Sequence, residues 1–221
     1  MVNYGTSGFL LLFLFLSCCS GNQKRENTPG IIPSVTQRKS DSSLIFNGMN
    51  LDGWEISNFG PQGPVFVSDG SIILGMGEGC TGITWNEEFP ENNYKVTLEA
   101  KRVSGNDFFC GMTFPVGKDH CSLIIGGWGG TVVGLSCIDK KDASENETTR
   151  LMKFENDHWY SICLIVKDDT IKALIDDQVI VDFAKGNKIL SIRPEVELSK
   201  PFGIASWYTT SALRNLKVER L

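Results

Sequence analysis

The stretch YKVTLEAKRV, residues 94–103, alternates apolar and polar side chains over most of its length. In an extended chain one face would carry the apolar members, Tyr94, Val96, Leu98 and Ala100. Lysine, threonine and glutamate fill the opposite face. Because successive side chains of a strand point to opposite sides of its sheet, the pattern predicts a strand with one buried and one solvated face.

Eight further stretches are short and rich in β-branched or aromatic residues, and Gly, Asn and Asp separate them. They are SIILGM (71–76), DFFCGMTFPV (107–116), HCSLIIGGW (120–128), TVVGLSCID (131–139), YSICLIVKDD (160–169), TIKALIDDQVIVDF (170–183), FGIASWYTT (202–210) and ALRNLKVERL (212–221). IDDQ at 175–178 predicts a hairpin turn. With no long helical period, the sequence predicts an all-β sandwich or jelly roll.

The composition limits the classes of partner. A chain of 221 residues with 41% hydrophobic residues can bury one sizeable core, so we expect one main domain. The net charge is -5, and the basic residues are scattered and not interleaved with aromatic residues. These features exclude a nucleic-acid-binding surface.

The N-terminal stretch predicts export. The apolar run 9–16 is too short to span a bilayer but fits the central region of a signal peptide. Ser17 followed by Cys18 and Cys19 resembles the lipobox of bacterial lipoproteins, with Cys18 or else Cys19 as the lipid-bearing residue; an ordinary cleaved signal peptide is the alternative. We predict a signal peptide over 1–18, a flexible polar tether over 19–43 and a domain over 44–221, anchored through Cys18 in the bacterial cell envelope, in the periplasm or at the cell surface.

Cysteine spacing predicts neither a metal site nor a complete disulfide set. The domain holds an odd number of cysteines: Cys80, Cys110, Cys121, Cys137 and Cys163. At least one thiol should therefore be free unless Cys19 pairs with it. No C-x-x-C element is present, which argues against structural zinc. We expect no cofactor.

Two of the nine stretches have an unusual second face. In 107–128 one face holds apolar residues such as Met112 and Leu123, which predict core. The other face would hold Phe109, Gly111, Thr113, His120, Ser122, Ile124, Gly126 and Trp128. Small, mildly polar residues with no Lys or Glu suit the floor of a groove. His120 is thus interpreted as a groove residue, or else as a structural histidine at a strand start.

The stretch SIRPEVELS, residues 191–199, offers acid–base groups. As a strand it would place Arg193, Glu195 and Glu197 on one face. Alternate residues lie roughly 6.5–7 Å apart, a separation that suits a carboxylate pair acting on a glycosidic bond. A solvated strand face is the alternative, and Pro194 supports a position at a sheet edge.

A polar loop and two tryptophans complete the candidate site. DASENETT, 142–149, and Arg150 are rich in polar groups, including Glu145, which could bind sugar hydroxyls or a divalent cation; a simple polar loop is equally consistent. Trp128 and Trp207 could stack on sugar rings, although tryptophans of β proteins are more often core residues.

Long segments resemble the bacterial 3-keto-disaccharide hydrolase family. They are LIFNGMNLDGWE (44–55), FFCGMTFPVGKDHCSLIIGGWGGTVVGLSCIDKKDASENETT (108–149), DHWYSICLIV (157–166), IDDQVIVD (175–182) and IRPEVELSKPFGIASWYTTSALRNLKVERL (192–221). The resemblance covers essentially all of 44–221. It implies a concanavalin A-like jelly roll of two antiparallel sheets with carbohydrate bound across the concave face.

The resemblance also implies a substrate, a glycoside oxidised at C3. A base would remove the C2 hydrogen, the C1 aglycone would leave, and water would add back. We expect the proton-transfer groups among His120, Glu195 and Glu197. The candidate substrate-binding residues are Trp128, Glu145, Arg150, Arg193 and Trp207. A non-catalytic, lectin-like glycan-binding module is the alternative.

Overall fold

The computed structural model describes residues 42–221, which form two antiparallel β-sheets packed face to face. The eight-stranded sheet runs in the order β13 (Gln178–Ala184), β12 (Thr170–Ile175), β11 (Tyr160–Lys167), β6 (Tyr94–Gly105), β15 (Thr209–Arg220), β4 (Ser71–Leu74) and β3 (Val65–Ser68), and β1 (Ser42–Leu44) also pairs with β15. The seven-stranded sheet runs β10 (Arg150–Leu151), β9 (Val132–Ser136), β8 (Asp119–Gly126), β7 (Cys110–Val116), β14 (Gly203–Trp207), β5 (Cys80–Trp85) and β2 (Trp54–Ile56). A helical turn, Gly127–Gly130, follows β8, and a 3₁₀ helix, Pro194–Ser199, precedes β14.

This architecture confirms the predicted all-β sandwich. Each of the nine predicted stretches contains a strand, and the alternation over 94–100 matches the buried and half-buried residues of β6. The β12–β13 hairpin turns at Asp176 and Asp177, whose φ angles of 48° and 62° are those of the tight turn that matches the strand twist. The first strand begins at Ser42, two residues before the predicted start of the domain.

The core lies between the two sheets and is apolar on both sides. β6 and β11 of the larger sheet contribute Leu98 and Ile162, and β7 and β8 of the smaller sheet contribute Met112 and Leu123. Burial of each such side chain stabilises the fold by roughly 1.5–3 kcal/mol. The five cysteines from Cys80 to Cys163 are all free thiols, which confirms the expected unpaired thiol.

The outer face of the smaller sheet is lined by small residues because other segments lie directly on it. These residues are Gly82, Gly111, Thr113, Ser122, Gly134, Ser136, Gly203 and Ala205. A Cβ at Gly203 would lie 2.8 Å from Cβ of Ser199 in the 3₁₀ helix. A Cβ at Gly134 would lie 3.1 Å from the carbonyl oxygen of Ala143 in the 142–149 loop. Larger side chains would therefore push these two segments off the sheet.

The predicted position of Phe109 on this outer face is wrong. Its side chain is fully buried in the core, with its ring centroid 5.2 Å from that of Phe154. β7 begins only at Cys110, so the alternation of the strand does not extend back to residue 109. Phe108 lies over the outer face instead, where its ring would be 2.8 Å from a Cβ on Gly111.

Within residues 42–221 no helix is long and apolar enough to cross a membrane. The predicted signal peptide, the predicted lipidation site Cys18 and most of the predicted tether lie outside the described residues.

Candidate functional site

An open cleft of about 210 Å³ lies on the outer face of the smaller sheet. Its floor comes from β5, β8 and β9, and its sides come from the 107–108 segment, the helical turn, the end of β14 and the 3₁₀ helix. The lining residues are Cys80, Asp107, Phe108, Ser122, Ile124, Trp128, Ser136, Arg193, Glu195, Val196 and Trp207. Both predicted stacking tryptophans and two of the three predicted charged residues of 191–199 are therefore in one cleft.

One group of cleft residues is aromatic. Trp207, the last residue of β14, stacks on Phe108 with ring centroids 6.4 Å apart and an interplanar angle of 25°. Trp128 projects from the helical turn, where its φ of 47° is in the left-handed region, and 42% of its surface is exposed. Exposed tryptophan faces bind the apolar faces of sugar rings.

Asp107 fixes the geometry of this aromatic group. Its Oδ1 accepts a hydrogen bond of 2.7 Å from the Phe108 amide, and its Oδ2 accepts one of 3.1 Å from the Gly129 amide. The carboxylate thus links the segment that carries Phe108 to the turn that carries Trp128. Nothing in its sequence context marked Asp107 as a site residue, because its role depends on the fold bringing residue 129 beside it.

A second group of cleft residues is charged. The Arg193 guanidinium donates from Nη1 to Asp142 Oδ2 at 3.1 Å and from Nη2 to Glu195 Oε1 at 2.8 Å. The hydrogen bond from Arg193 lowers the pKa of Glu195, so this carboxylate is ionised at neutral pH. Asp142 also accepts the Ser144 amide and hydroxyl hydrogens, which joins the 142–149 loop to this charged group.

The floor of the cleft is uncharged and combines the hydroxyls of Ser122 and Ser136 with the apolar Ile124. The hydroxyls of Thr113 and Ser122 are 2.9 Å apart, and Ser122 pairs with Ser136 across β8 and β9. Burial, with a smaller contribution from the charge of Glu195, raises the pKa of the Cys80 thiol to about 12. Because the thiolate is the reactive form, Cys80 is a neutral floor residue and no nucleophile.

The predicted carboxylate pair does not form. Residues 194–199 are a 3₁₀ helix, not a strand, because Pro194 fixes a φ that suits the first helical turn. With about three residues per turn, residues two apart point in different directions. Glu195 therefore lines the cleft, whereas Glu197 accepts a 2.6 Å hydrogen bond from Lys200 and lies outside the lining.

Three other predicted site residues lie outside the cleft lining. His120, at the start of β8, pairs with Pro115, and its Nε2 is buried without a hydrogen-bond partner. Burial lowers the pKa of His120, and the charge of Lys200 adds to this effect. Glu145 is exposed on the 142–149 loop, and Arg150 donates to the carbonyl oxygens of its own loop.

The Asn146 side chain holds the 142–149 loop together and ties it to β9. The Asn146 amide donates to the carbonyl oxygens of Leu135 and Asp142 at 2.7 Å each, and its oxygen accepts from the Thr148 hydroxyl at 2.6 Å. Among residues 42–221 no group of three or more His, Cys, Asp or Glu side chains could hold a metal ion. The loop therefore contributes to the cleft only indirectly, through the hydrogen bond that Asp142 accepts from Arg193.

Three solved structures share the fold. Carbohydrate-binding module CBM66 from Bacillus subtilis is 15% identical with a TM-score of 0.52, over 80% of this chain and 99% of that one. The apo Crh5 transglycosylase is 13% identical with a TM-score of 0.56, over 82% and 84%. A Bacillus subtilis protein of unknown function with a galectin-like fold is 13% identical with a TM-score of 0.55, over 76% and 90%. At these identities the likeness shows the fold alone.

No curated protein matches the chain. The family model described as a 3-keto-alpha-glucoside-1,2-lyase-like domain matches residues 41–219, nearly the whole of the described sandwich. This match confirms the resemblance seen in the sequence. The chain belongs to the carbohydrate-active 3-keto-disaccharide hydrolase family of 3-keto-alpha-glucoside-1,2-lyase-like domains.

Proposed function

We propose that the cleft binds a glycoside oxidised at C3 and cleaves its C1–O bond by elimination. A base takes the C2 proton, the C2–H electron pair forms the C1=C2 double bond, and the aglycone oxygen leaves from C1 and takes up a proton. Addition of water across the double bond then completes a net hydrolysis. The main supporting observation is the ionised Glu195 carboxylate held beside a guanidinium in a cleft with exposed aromatic rings.

Glu195 is the base in this proposal, and Arg193 is its partner. A carboxylate with a lowered pKa is a weak base, but the C3 ketone makes the C2 hydrogen much more acidic than that of an ordinary sugar. The positive charge of Arg193 would stabilise the negative charge that develops on the enolate, as fixed charges stabilise transition states. Trp128 and Trp207 would hold the sugar ring over the small residues of the floor.

A glycan-binding module without chemistry is the second candidate. It is favoured by one observation, that Arg193 forms ion pairs with both Asp142 and Glu195. A base engaged by an ion pair must give up part of that interaction to take a proton. Binding of a glycan by the same aromatic residues requires no such change.

The test compares a 3-keto-glucoside with its unoxidised parent, using the full chain. We expect release of the aglycone from the 3-keto-glucoside only, with deuterium appearing at C2 in heavy water if proton removal is reversible. Release from both sugars would indicate a direct glycosidase. No turnover of either, with saturable binding, would establish the binding module.

We also propose that the mature protein is attached to a membrane through Cys18. The serine variant Cys18→Ser should move the protein from the membrane fraction to the soluble fraction, because a thioether-linked lipid requires the cysteine sulfur. A Cys19→Ser variant is the matched control and should stay with the membrane. If the Cys18→Ser variant stayed with the membrane, Cys18 would not be the lipid-bearing residue. If only the Cys19→Ser variant were released, the lipid would be assigned to Cys19.

A further inference from the structure

A second pocket, of about 270 Å³, lies behind the turn that carries Trp128. Its lining residues are Arg102, Gly105, Asn106, Gly129, Gly130, Thr131, Lys153, Phe154 and Asn156. Residues 106 and 129–130 line this pocket, while their neighbours 107–108 and 128 line the cleft. The two cavities are therefore separated by a single layer of chain.

Arg102 occupies an unusual position on β6. It continues the apolar register of that strand after Leu98 and Ala100, and only 6% of its surface is exposed. Its Nε donates to Asn156 Oδ1 at 2.9 Å, and its Nη2 donates to the Phe154 carbonyl oxygen at 2.7 Å. Its Nη1 is buried and has no hydrogen-bond partner.

No carboxylate forms an ion pair with this buried charge, and the one carboxylate whose charge acts on it, that of Asp107, does so from a distance. Arg102 takes part in none of the ion pairs among residues 42–221, and no acidic residue lines the pocket. Asp107, on the far side of the chain layer, uses its oxygens on backbone amides. A buried cation without an anionic partner is costly, so an anion that paired with it would be stabilised.

Two further features of the pocket favour the binding of an anion beside Arg102. Lys153 lines the same pocket, is exposed and belongs to none of the described ion pairs, so it supplies a second cation. Gly130 packs against the guanidinium: a Cβ there would lie 2.8 Å from Nη1 of Arg102, and its φ of 100° suits glycine. Three of the four residues in the 127–130 turn are glycine, and their backbone freedom would allow the turn to shift and uncover Nη1 of Arg102.

We propose that this pocket binds a small oxyanion between the Arg102 guanidinium and the Lys153 ammonium. Charge-assisted hydrogen bonds of this kind are the strong ones, and Thr131 and the asparagines of the pocket can complete the coordination. The oxyanion is either a free ion or the carboxylate of an acidic sugar. Because the 127–130 turn also carries Trp128, occupancy of the pocket alters the position of Trp128 in the cleft. The inference is independent of the reaction proposed for the cleft.

The test is an NMR titration of the full chain with inorganic phosphate, against chloride at equal ionic strength. We expect saturable shifts of the Gly129 and Gly130 amides and of the Trp128 indole. Lys153→Glu should weaken binding about tenfold by replacing attraction with repulsion. Lys167 is exposed, is the last residue of β11 and does not line the pocket, so Lys167→Glu should bind as the unmodified protein does.

A parallel titration with glucuronate identifies the source of the oxyanion. Tighter binding of glucuronate than of phosphate indicates an acidic sugar, and the reverse order indicates a free ion. Arg102→Met should abolish binding, but because Arg102 also bonds to Phe154 and Asn156, a failure of this variant to fold leaves Lys153→Glu to decide. Equal phosphate affinity in the Lys153→Glu and Lys167→Glu variants, or no saturable shift in the unmodified chain, would overturn the proposal.

Discussion

Replacement of Glu195 by glutamine should lower the rate of aglycone release from a 3-keto-glucoside by about 100- to 10,000-fold, the usual loss when a proton-transfer group is removed. Glutamine keeps the shape of the side chain and can still accept from Arg193, but it cannot take the C2 proton. The Glu195 side chain is 42% exposed and the glutamine has nearly the same volume, so the fold should be unchanged. The measurement is the initial rate at saturating substrate, together with deuterium exchange at C2.

Glu197→Gln is the matched control because it makes the same chemical change two residues away. Glu197 pairs with Lys200 outside the cleft, so its rate should stay within about twofold of the unmodified chain, as expected for an exposed change. Similar rates for Glu195→Gln and the unmodified chain would show that the base is elsewhere.

The pH dependence follows from the ion pair with Arg193. The base must be ionised, so activity is present above the pKa of Glu195 and is lost as the pH falls through it. Because Arg193 lowers that pKa, the acid limb of the rate profile should lie below the ordinary glutamate range. An acid limb near the usual histidine range would instead indicate a histidine base.

The sequence could predict that Arg193 and Glu195 belong to the site, but it could not predict how the charged side chains are arranged. In SIRPEVELS the alternation of apolar and polar residues imitates a strand, and this concealed a 3₁₀ helix whose first residue is Pro194. Proline was interpreted as a sign of a sheet edge, although it equally favours the first turn of a helix. The contact between Asp142 and Arg193 joins residues 51 positions apart, and no local pattern reveals it.

The fold was easier to predict because the long strands have one buried and one solvated face, as β6 and β11 do. β5 was missed because burial of five of its six residues leaves no alternation to detect and, unlike the equally buried β7 and β9, it has only two large apolar residues, Ile83 and Trp85. β1, β2 and β10 were missed because strands of two or three residues carry too few side chains for any period.

Phe108 and Phe109 show that an alternation pattern can also assign a single residue to the wrong face of a sheet. Strict alternation back from Cys110 assigns Phe109 to the groove and Phe108 to the core, and the structure has the reverse. The strand starts at Cys110, and in the segment before it Phe109 turns inward against Phe154.

The buried position of Phe109 predicts the second large effect of a substitution, a loss of stability. Phe109→Ala should lower the free energy of unfolding by about 3–5 kcal/mol, because it leaves a cavity among rings that no neighbour can fill. The Phe109 ring lies 5.2 Å from that of Phe154 and 5.9 Å from that of Tyr160, and it is fully buried. The loss is measured by chemical denaturation of the full chain.

Phe108→Ala is the control that separates the two adjacent rings. Phe108 is half-buried over the cleft and stacks on Trp207, so its removal should cost only about 1 kcal/mol of stability. It should instead weaken binding of the sugar, because Trp207 loses the ring that holds its orientation. A large loss of stability in Phe108→Ala with a small one in Phe109→Ala would contradict this assignment, since it would place Phe108 in the core and remove it from the wall of the cleft.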